Sequence, residues 1–247
     1  MEDKLSVIIT VYNQNDLAVV HARECMNSLR VPDEIVVIND GGSPDLEEKL
    51  SKLDFKCRFV YARIDQDINW NYNGACNLGA WLSTGNLLAF EDNDNIPARL
   101  FYQEALEYLK NNPEVGRVTG RNRLVVSLDN ILSQPLEKWV INNSIGPNQG
   151  TAIMRRDIYM LVKGQDERYC GEYGWMYYAW RRKLLNRANV KFGSRGTYYY
   201  TQDGQTQLKR NMSVRNASLM RHDSKDNVLQ SPTGILNFTY KVKVFRP

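Results

Sequence analysis

Four short apolar segments alternate with helix-like segments in the first hundred residues, and this alternation constrains the fold more than any other feature. The apolar segments are rich in β-branched residues and span residues 5–12, 34–39, 56–62 and 87–91. Such nearly continuous apolar strands are typical of a sheet that is covered on both faces. Between them we expect helices that begin near Asp16, which can cap the first, near Pro44, and at Tyr72. The order predicts an α/β fold with a mostly parallel central sheet.

The second half of the chain is less regular. Its predicted elements are a helix over 99–111, one or two strands over 115–126, an irregular surface segment over 129–148, a strand over 150–154 and an aromatic, basic helix over 175–188. After Tyr200 the chain is polar until about residue 235. Because no repeat or low-complexity linker interrupts it, we expect a single domain over residues 1–247. Its parts are a first half to about residue 98, a smaller mixed half over about 99–200, and a C-terminal tail over about 201–247.

Composition and charge exclude several classes of protein. The net charge is only +4 and no long basic run occurs, so binding to DNA or RNA is not expected. No apolar run approaches the roughly 18 residues of a membrane span, and the N-terminus lacks the features of a signal peptide. We therefore expect a cytoplasmic protein with reduced thiols, while peripheral contact with a membrane through the basic C-terminal third is left open.

An acidic turn follows the fourth apolar segment. Glu91, Asp92 and Asp94 come directly after Phe90, and Pro97 lies just beyond. Burying three carboxylates on a strand is costly, so they are expected where the strand leaves the sheet, which is where ligands bind in α/β folds. Carboxylate oxygens suit Mg²⁺ or Mn²⁺ that bridges to substrate phosphates. A solvated turn is the alternative interpretation, and Glu91 is expected either to face solvent or to support the site from behind.

Four segments in order resemble motifs of the family 2 glycosyltransferases, which have the GT-A fold. Residues 5–13 resemble their opening V-S-V-I-I-P-x-Y-N strand and turn, and residues 34–45 their E-I-I-V-V-D-D-G-S-x-D segment. Residues 73–79 resemble the G-x-x-x-A-R-N-x-G helix, and residues 90–97 the D-x-D strand end. Weaker similarity to the acceptor-side strand and loop at 148–156 and 164–169 extends the resemblance to about residue 185.

The resemblance implies a metal-dependent, inverting glycosyltransferase. Its donor is a UDP-, GDP- or dTDP-sugar, its acceptor a glycan-type hydroxyl, and its cofactor Mn²⁺ or Mg²⁺. Asp94 is expected to bind the metal, and Asp92 to contact the ribose or share the metal. The residues expected to bind the nucleotide are Thr10, Val11, Tyr12 and Asp40, and the matched helix segment adds Asn73 and Asn77.

The catalytic base is the point at which this sequence departs from the family. An inverting enzyme needs a carboxylate that deprotonates the acceptor hydroxyl. Ungapped alignment places Met176 and Tyr177 in the positions of the family's Glu-Asp pair. Glu172 and Asp166 are the candidate bases, with Glu167 beside them, and the sequence does not resolve them. The alternative function is a catalytically weak or inactive relative that still binds nucleotide.

A C-terminal histidine is a further candidate ligand. In some metal-dependent GT-A enzymes a histidine of the C-terminal loop completes the metal shell, and His222 lies in such a region, although a surface histidine is the competing interpretation. His21 is expected to be structural. A Rossmann dehydrogenase is disfavoured because residues 40–43 lack the G-x-G-x-x-G spacing.

Overall fold

An eight-stranded sheet forms the centre of the protein, whose computed structural model describes residues 3–147, 150–201, 213–225 and 238–246. Its strands are β1 (Leu5–Val11), β2 (Glu34–Asn39), β3 (Arg58–Ile64), β4 (Leu87–Asp92), β6 (Val115–Thr119), β9 (Ala152–Arg155), β10 (Lys191–Ser194) and β12 (Tyr240–Arg246). They lie in the order β10–β6–β9–β4–β1–β2–β3–β12. The contiguous strands β4, β1, β2 and β3 are all parallel, as are β6 and β10. The predicted α/β fold is therefore confirmed.

Helices cover both faces of this sheet. The helices of the described part of the chain are α1 (Asn15–Met26), α2 (Leu46–Leu50), α3 (Tyr72–Leu82), α4 (Phe101–Asn111), α5 (Leu128–Ser133), α6 (Arg156–Leu161), α7 (Met176–Lys183) and α8 (Val214–Lys225), and all of them except α5 and α8 pack on this sheet. Residues of α1, α2 and α4 share one core with Val7 and Ile9, whereas residues of α3, α6 and α7 share the opposite core with Ile8. Burial on both faces explains why the strand sequences are almost continuously apolar.

A smaller four-stranded sheet begins directly after the acidic turn. It contains β5 (Asn95–Pro97), β7 (Asn122–Val125), β8 (Asn143–Ile145) and β11 (Thr197–Tyr200), in the order β5–β11–β7–β8. A third apolar cluster joins this sheet to α1 and α5 and includes Leu17, Ile96 and Ile131. The small sheet thus fixes the chain immediately beyond the end of β4.

Several predicted boundaries were wrong. The third strand is Arg58–Ile64 rather than 56–62. Asp16 does not cap α1, because the helix begins at Asn15 and the Asp16 carboxylate instead pairs with Lys49 at 2.8 Å. The segment 129–148 is not irregular throughout, since it contains most of α5, whose first turn is capped by the side chain of Ser127, and all of β8. These short elements depend on tertiary contacts that the local sequence pattern does not reveal.

The C-terminal strand belongs to the central sheet. β12 pairs antiparallel with β3 and is one of the two edge strands of the sheet.

All four cysteines are unpaired thiols, and three of them are buried. Among the described residues, no helix combines the length and the apolar character that crossing a bilayer requires.

Candidate active site

The predicted donor-binding residues lie along one edge of the central sheet. Tyr12 follows β1, Asp40 follows β2, and Asp92 is the last residue of β4. In the sheet register, Thr10 lies between Ile38 of β2 and Asp92 of β4. Because these strands are parallel and adjacent, their carboxyl ends meet at the same edge, where ligands bind in open α/β sheets. The structure therefore brings together groups from three separate sequence motifs.

Asp40 has an unusual environment. It is buried, and its carboxylate accepts a hydrogen bond of 2.9 Å from the Asn71 side chain. Burial raises the pKa of Asp40 from 3.8 to about 7; the Asn71 hydrogen bond opposes this rise, and the nearby charge of Asp67 adds to it. A carboxyl group of this kind is well placed to exchange a hydrogen bond with a polar edge of a ligand. Asn71 was not identified from the sequence, where no motif marks it.

Tyr12 presents an aromatic face beside Asp40. Its side chain is 52% exposed, and its hydroxyl donates a 3.4 Å hydrogen bond to Asp67. Burial of part of the ring and the neighbouring Asp67 carboxylate raise the pKa of Tyr12. An exposed ring that is anchored at its hydroxyl can stack on a planar ligand.

The loop after β2 is folded tightly against the chain beyond β3. Gly41 adopts φ +74°, and a Cβ at this position would lie 2.6 Å from the Gln66 carbonyl oxygen. The backbone N–H of Ser43 donates to the Asn13 side chain at 3.1 Å. These contacts explain the Asp-Gly-Gly-Ser sequence, since only glycine combines this backbone angle with so close an approach.

The acidic turn places two carboxylates at the end of β4. Asp92 and Asp94 are both partly exposed, and the charge of Asp92 adds to the rise that burial causes in the pKa of Tyr72, whose hydroxyl donates to the Gly150 carbonyl oxygen at 3.2 Å. The Asp94 backbone oxygen accepts from Thr201 at 3.1 Å. Asn95 Nδ2 donates a hydrogen bond to Asp94 Oδ1, and the side-chain oxygens of these two neighbours, Asn95 Oδ1 and Thr201 Oγ1, are buried without a hydrogen-bond partner among the described residues. Such a group of oxygen atoms fits a hard divalent cation.

Glu91 does not face solvent, so that part of the prediction was wrong. Its side chain is 1% exposed and lies on the face of the sheet that α1 and α4 cover. It forms a 2.6 Å contact with His21 Nε2 and accepts a 2.8 Å hydrogen bond from the Tyr102 hydroxyl. The reason is strand parity: Glu91 follows Leu87 and Ala89, which point into the same core. His21 is also buried, and its predicted structural role stays a prediction.

The two candidate bases have different surroundings. Asp166 is buried, and both of its carboxylate oxygens are engaged by the Arg168 guanidinium, with a closest distance of 2.6 Å. Glu172 is half-buried, and its Oε2 accepts a hydrogen bond from the Ser213 hydroxyl. Both belong to the loop between α6 and α7, so the structure keeps them on one segment.

Asn73 and Asn77 are directed at this same loop. Asn73 Nδ2 donates to the Asp166 carbonyl oxygen at 2.8 Å. Asn77 Nδ2 donates to the Gln165 carbonyl oxygen, and Asn77 Oδ1 accepts from the Tyr159 hydroxyl and the Gln165 N–H. These hydrogen bonds connect α3 to the loop that carries the candidate bases. Their predicted contact with the donor stays a prediction.

The positions aligned with the family's Glu-Asp pair open α7. Tyr177 is partly buried against the apolar core, and the Arg117 guanidinium lies 5.4 Å from the centre of its ring. Trp175, directly before the helix, has the left-handed backbone angle φ +66°. Tyr178 is 53% exposed and packs against Trp175 with ring centres 5.6 Å apart. An exposed aromatic surface therefore adjoins the base loop.

Asn216 of α8 also hydrogen-bonds to the loop between α6 and α7, which carries the candidate bases. Its side chain is fully buried, and its Nδ2 lies 3.0–3.1 Å from the carbonyl oxygens of Tyr169, Glu172 and Gly174. No sequence motif marked Asn216. The backbone of His222 also lies in α8, but its side chain is outside the described part of the chain, so its predicted metal role stays untested.

Comparison with known proteins yields consistent similarities. A sequence profile described as "Glycosyl transferase family 2" matches residues 6–161. The chain is 27% identical over 141 residues to the chondroitin synthase of Escherichia coli, covering 57% of this chain and 20% of that protein. It is 29% identical over 123 residues to the poly-beta-1,6-N-acetyl-D-glucosamine synthase of Staphylococcus epidermidis, covering 49% and 29%. An uncharacterized glycosyltransferase of Rickettsia bellii is 33% identical over 106 residues, covering 42% and 14%.

A solved structure shares the fold. The crystal structure of S. aureus TarS 1-349 has a TM-score of 0.58 with this chain at 14% identity, covering 80% of this chain and 60% of that one. This similarity confirms the GT-A architecture. The chain spans less than a third of the length of the three curated relatives described above.

Proposed function

This chain belongs to glycosyl transferase family 2, and we propose that it transfers a sugar from a nucleotide diphosphate sugar to a hydroxyl group of a glycan-type acceptor with the help of a divalent cation. The observation that carries the proposal is the convergence of Tyr12, Asp40 and the Asp92–Asp94 turn at one edge of the sheet. An aromatic face, a buried carboxyl group and two partly exposed carboxylates are the groups that a base, a ribose and a metal-bound diphosphate require.

Tyr12 and Asp40 would hold the nucleoside. The exposed Tyr12 ring offers a stacking surface, and the Asp40 carboxylate accepts a hydrogen bond from an N–H of the base. Because Asn71 already donates to one Asp40 oxygen, the carboxyl group is oriented before the ligand arrives. A preoriented acceptor in a buried position favours a ligand that offers a matching donor, which is the source of base selectivity.

Asp92 and Asp94 would hold the metal ion. Mn²⁺ or Mg²⁺, when bound, neutralises the charge that develops on the departing diphosphate. The protein's own contribution is to fix the turn that carries the two carboxylates: Asp92 is the last residue of β4, and the Asp94 carbonyl oxygen accepts a hydrogen bond from the Thr201 N–H just after β11. Asn95 and Thr201 both hydrogen-bond to Asp94, and their buried side-chain oxygens, which have no partner among the described residues, support this assignment.

Glu172 is the better candidate for the base of an inverting reaction. A base must present a free lone pair to the acceptor hydroxyl. Both oxygens of Asp166 already accept hydrogen bonds from the Arg168 guanidinium, so this carboxylate is held by a neighbour instead of being open to an acceptor. At Glu172 the Ser213 hydroxyl engages Oε2, and the residue is half-buried beside the exposed aromatic surface. We therefore assign the proton transfer to Glu172.

Calorimetric titration tests the metal and nucleotide assignments. UDP, GDP and dTDP are titrated into the protein with and without Mn²⁺, and at least one is expected to bind more tightly with the metal. Asp94→Asn should abolish this gain while leaving metal-free binding in place. Asp157→Asn is the matched control, because Asp157 is an exposed carboxylate on α6, which starts at the opposite edge of the sheet. Absence of any metal-dependent nucleotide binding would refute the proposal.

Turnover assays then test the chemistry. Nucleotide diphosphate sugars that carry the nucleotide found to bind are incubated with the protein. The nucleoside diphosphate that is released is measured with and without candidate glycan acceptors. Glu172→Gln is expected to reduce the rate about 100-fold or more, in line with general-base contributions, while Asp166→Asn at similar folding stability has the smaller effect. Tight nucleotide binding without turnover of any donor would instead support a nucleotide-binding protein that lacks catalysis.

A further inference from the structure

A fully buried polar cluster lies directly behind the acidic turn. It consists of His21 and Cys25 of α1, Glu91 of β4 and Tyr102 of α4, all of which are 0–1% exposed. The Glu91 carboxylate is its centre: Oε2 lies 2.6 Å from His21 Nε2, and Oε1 accepts from the Tyr102 hydroxyl at 2.8 Å. Burying such groups is costly unless they are hydrogen-bonded, and the proposed transfer reaction does not itself use them.

His21 also contacts the backbone of the turn. Its Nδ1 lies 3.2 Å from the Asn93 carbonyl oxygen, so one imidazole ring bridges the residue before Asp92 and the residue after it. The Asn93 side chain adds a third connection, because its Nδ2 donates to the Gln14 carbonyl oxygen at 3.1 Å, just before α1 begins. The Asp92–Asp94 turn is thus held against α1 on both sides of Asp92.

The role of His21 Nδ1 as a hydrogen-bond donor follows from its partner, the Asn93 carbonyl oxygen. A carbonyl oxygen can only accept, so His21 Nδ1 must carry a proton. His21 Nε2 lies 2.6 Å from Glu91 Oε2 on the other side of the ring. The connection therefore depends on the polar atoms and the shapes of the two side chains, which an apolar residue at position 91 does not reproduce.

We propose that His21 and Glu91 are positioning residues that hold the Asp92–Asp94 turn in the conformation that binds the divalent cation. This inference rests on the proposed function, because it assigns a task to that same metal site. Neither side chain touches the substrate. They restrict the backbone between the two carboxylates, so that the turn is already ordered before the metal binds. Metal binding therefore does not carry the entropy cost of ordering the turn.

The test compares Mn²⁺ affinity, measured by electron paramagnetic resonance of free Mn²⁺, across four variants of the full chain. Glu91→Met, which breaks the contact with His21, is expected to weaken Mn²⁺ binding about 10-fold or more, the usual effect of removing a group that orients metal ligands. Glu91→Gln is expected to rescue affinity to within about 3-fold, because a carboxamide can donate to His21 Nε2 and accept from Tyr102. Metal-free nucleotide affinity should change in neither variant.

Two further variants separate positioning from folding. Leu109→Ala removes a buried apolar side chain of α4 from the same core but none of the side chains of the polar cluster, so it should lower the melting temperature without weakening Mn²⁺ binding. His21→Leu combined with Glu91→Met does not leave a buried imidazole without its carboxylate, and the Tyr102 hydroxyl keeps its 3.2 Å contact with Cys25 Sγ, so this double variant should fold at least as well as Glu91→Met and still bind Mn²⁺ weakly. The double variant keeps the test decisive if Glu91→Met alone is unstable.

The outcomes are distinct. Unchanged Mn²⁺ affinity in Glu91→Met, or equal loss in Glu91→Gln and Glu91→Met, would overturn the positioning role while leaving the proposed function intact. If the wild-type protein binds no Mn²⁺, the proposed function itself fails. One zinc ion per purified chain, lost in Cys25→Ala, would also overturn the inference, since the donor atoms of His21, Cys25 and Glu91 lie within 4.8 Å of one another and would then form a metal site.

Discussion

Replacing Asp40 by asparagine should stabilise the protein while weakening nucleotide binding. The side chain is buried at the end of β2, and its pKa in the folded protein is about 7, compared with 3.8 as its ordinary value. Burial is the main cause, so the folded state disfavours the carboxylate. Asparagine has nearly the same shape, is neutral at every pH, and can still accept the hydrogen bond from Asn71 through its Oδ1.

The magnitude follows from the pKa of Asp40. Each pKa unit corresponds to about 1.4 kcal/mol, so an ionised Asp40 lowers the free energy of unfolding by up to about 4 kcal/mol at pH 8. Between pH 4 and pH 7 the unfolded chain has lost this proton and the folded chain retains it, so wild-type stability falls as the pH rises. The advantage of Asp40→Asn is therefore expected to be about 1.5 kcal/mol at pH 5, to grow up to pH 7, and then to stay constant.

Urea denaturation at pH 5, 6, 7 and 8 measures this difference, with Asp54→Asn as a control that removes an exposed carboxylate near the opposite edge of the sheet. Nucleotide titration at the same pH values should show wild-type affinity falling below pH 7, as Asp40 becomes protonated, and should show a weak, pH-independent affinity in Asp40→Asn. A stability difference that does not change between pH 5 and pH 8 would contradict the assigned environment. Unchanged nucleotide affinity would contradict the proposed contact with the base.

Three other substitutions test separate parts of the site. Tyr12→Ala should weaken nucleotide binding by about 1–3 kcal/mol through lost stacking, whereas Tyr12→Phe, which keeps the ring, should stay close to wild type in the same titration. Gly41→Ala should lower both the melting temperature and nucleotide affinity, because its Cβ would meet the Gln66 carbonyl at 2.6 Å and its φ of +74° is unfavourable for alanine; wild-type affinity would refute this. Asn216→Leu should cost about 1–3 kcal/mol in urea denaturation and reduce the turnover rate more than donor affinity; an equal loss in both would mean that Asn216 acts on the whole fold.

The sequence was sufficient to predict that the proposed donor-binding residues lie at one edge of the sheet. The alternation of strands and helices implies parallel neighbours, and parallel neighbours bring their carboxyl ends together. Asp40 and the Asp92–Asp94 turn could therefore be assigned to one edge before any coordinates were known. The local sequence is enough to place these residues, because the position of each one along the chain relative to the end of a strand determines where it lies in the sheet.

Glu91 and His21 could have been found with closer attention to periodicity. Glu91 shares strand parity with Leu87 and Ala89, which face the core. His21 follows Ala18 by three residues and precedes Cys25 by four, so it lies on the buried stripe of α1. The two patterns place both side chains in the same core. What they do not predict is the 2.6 Å contact, because it joins residues 70 positions apart and depends on how α1 packs on the sheet.

The geometry of the proposed acceptor side was harder to predict from the sequence, because hydrogen bonds between residues far apart in the chain determine it. The loop that carries Asp166 and Glu172 is held mainly by carboxamides of Asn73, Asn77 and Asn216, which bind backbone groups. Bonds of this kind define the path of a loop but place little demand on the side chains it carries. A carboxylate can therefore occupy a different position on the loop while the loop keeps its shape. This is the physical ground for proposing Glu172 as the base in a chain that has Met176 and Tyr177 at the positions aligned with the family's Glu-Asp pair.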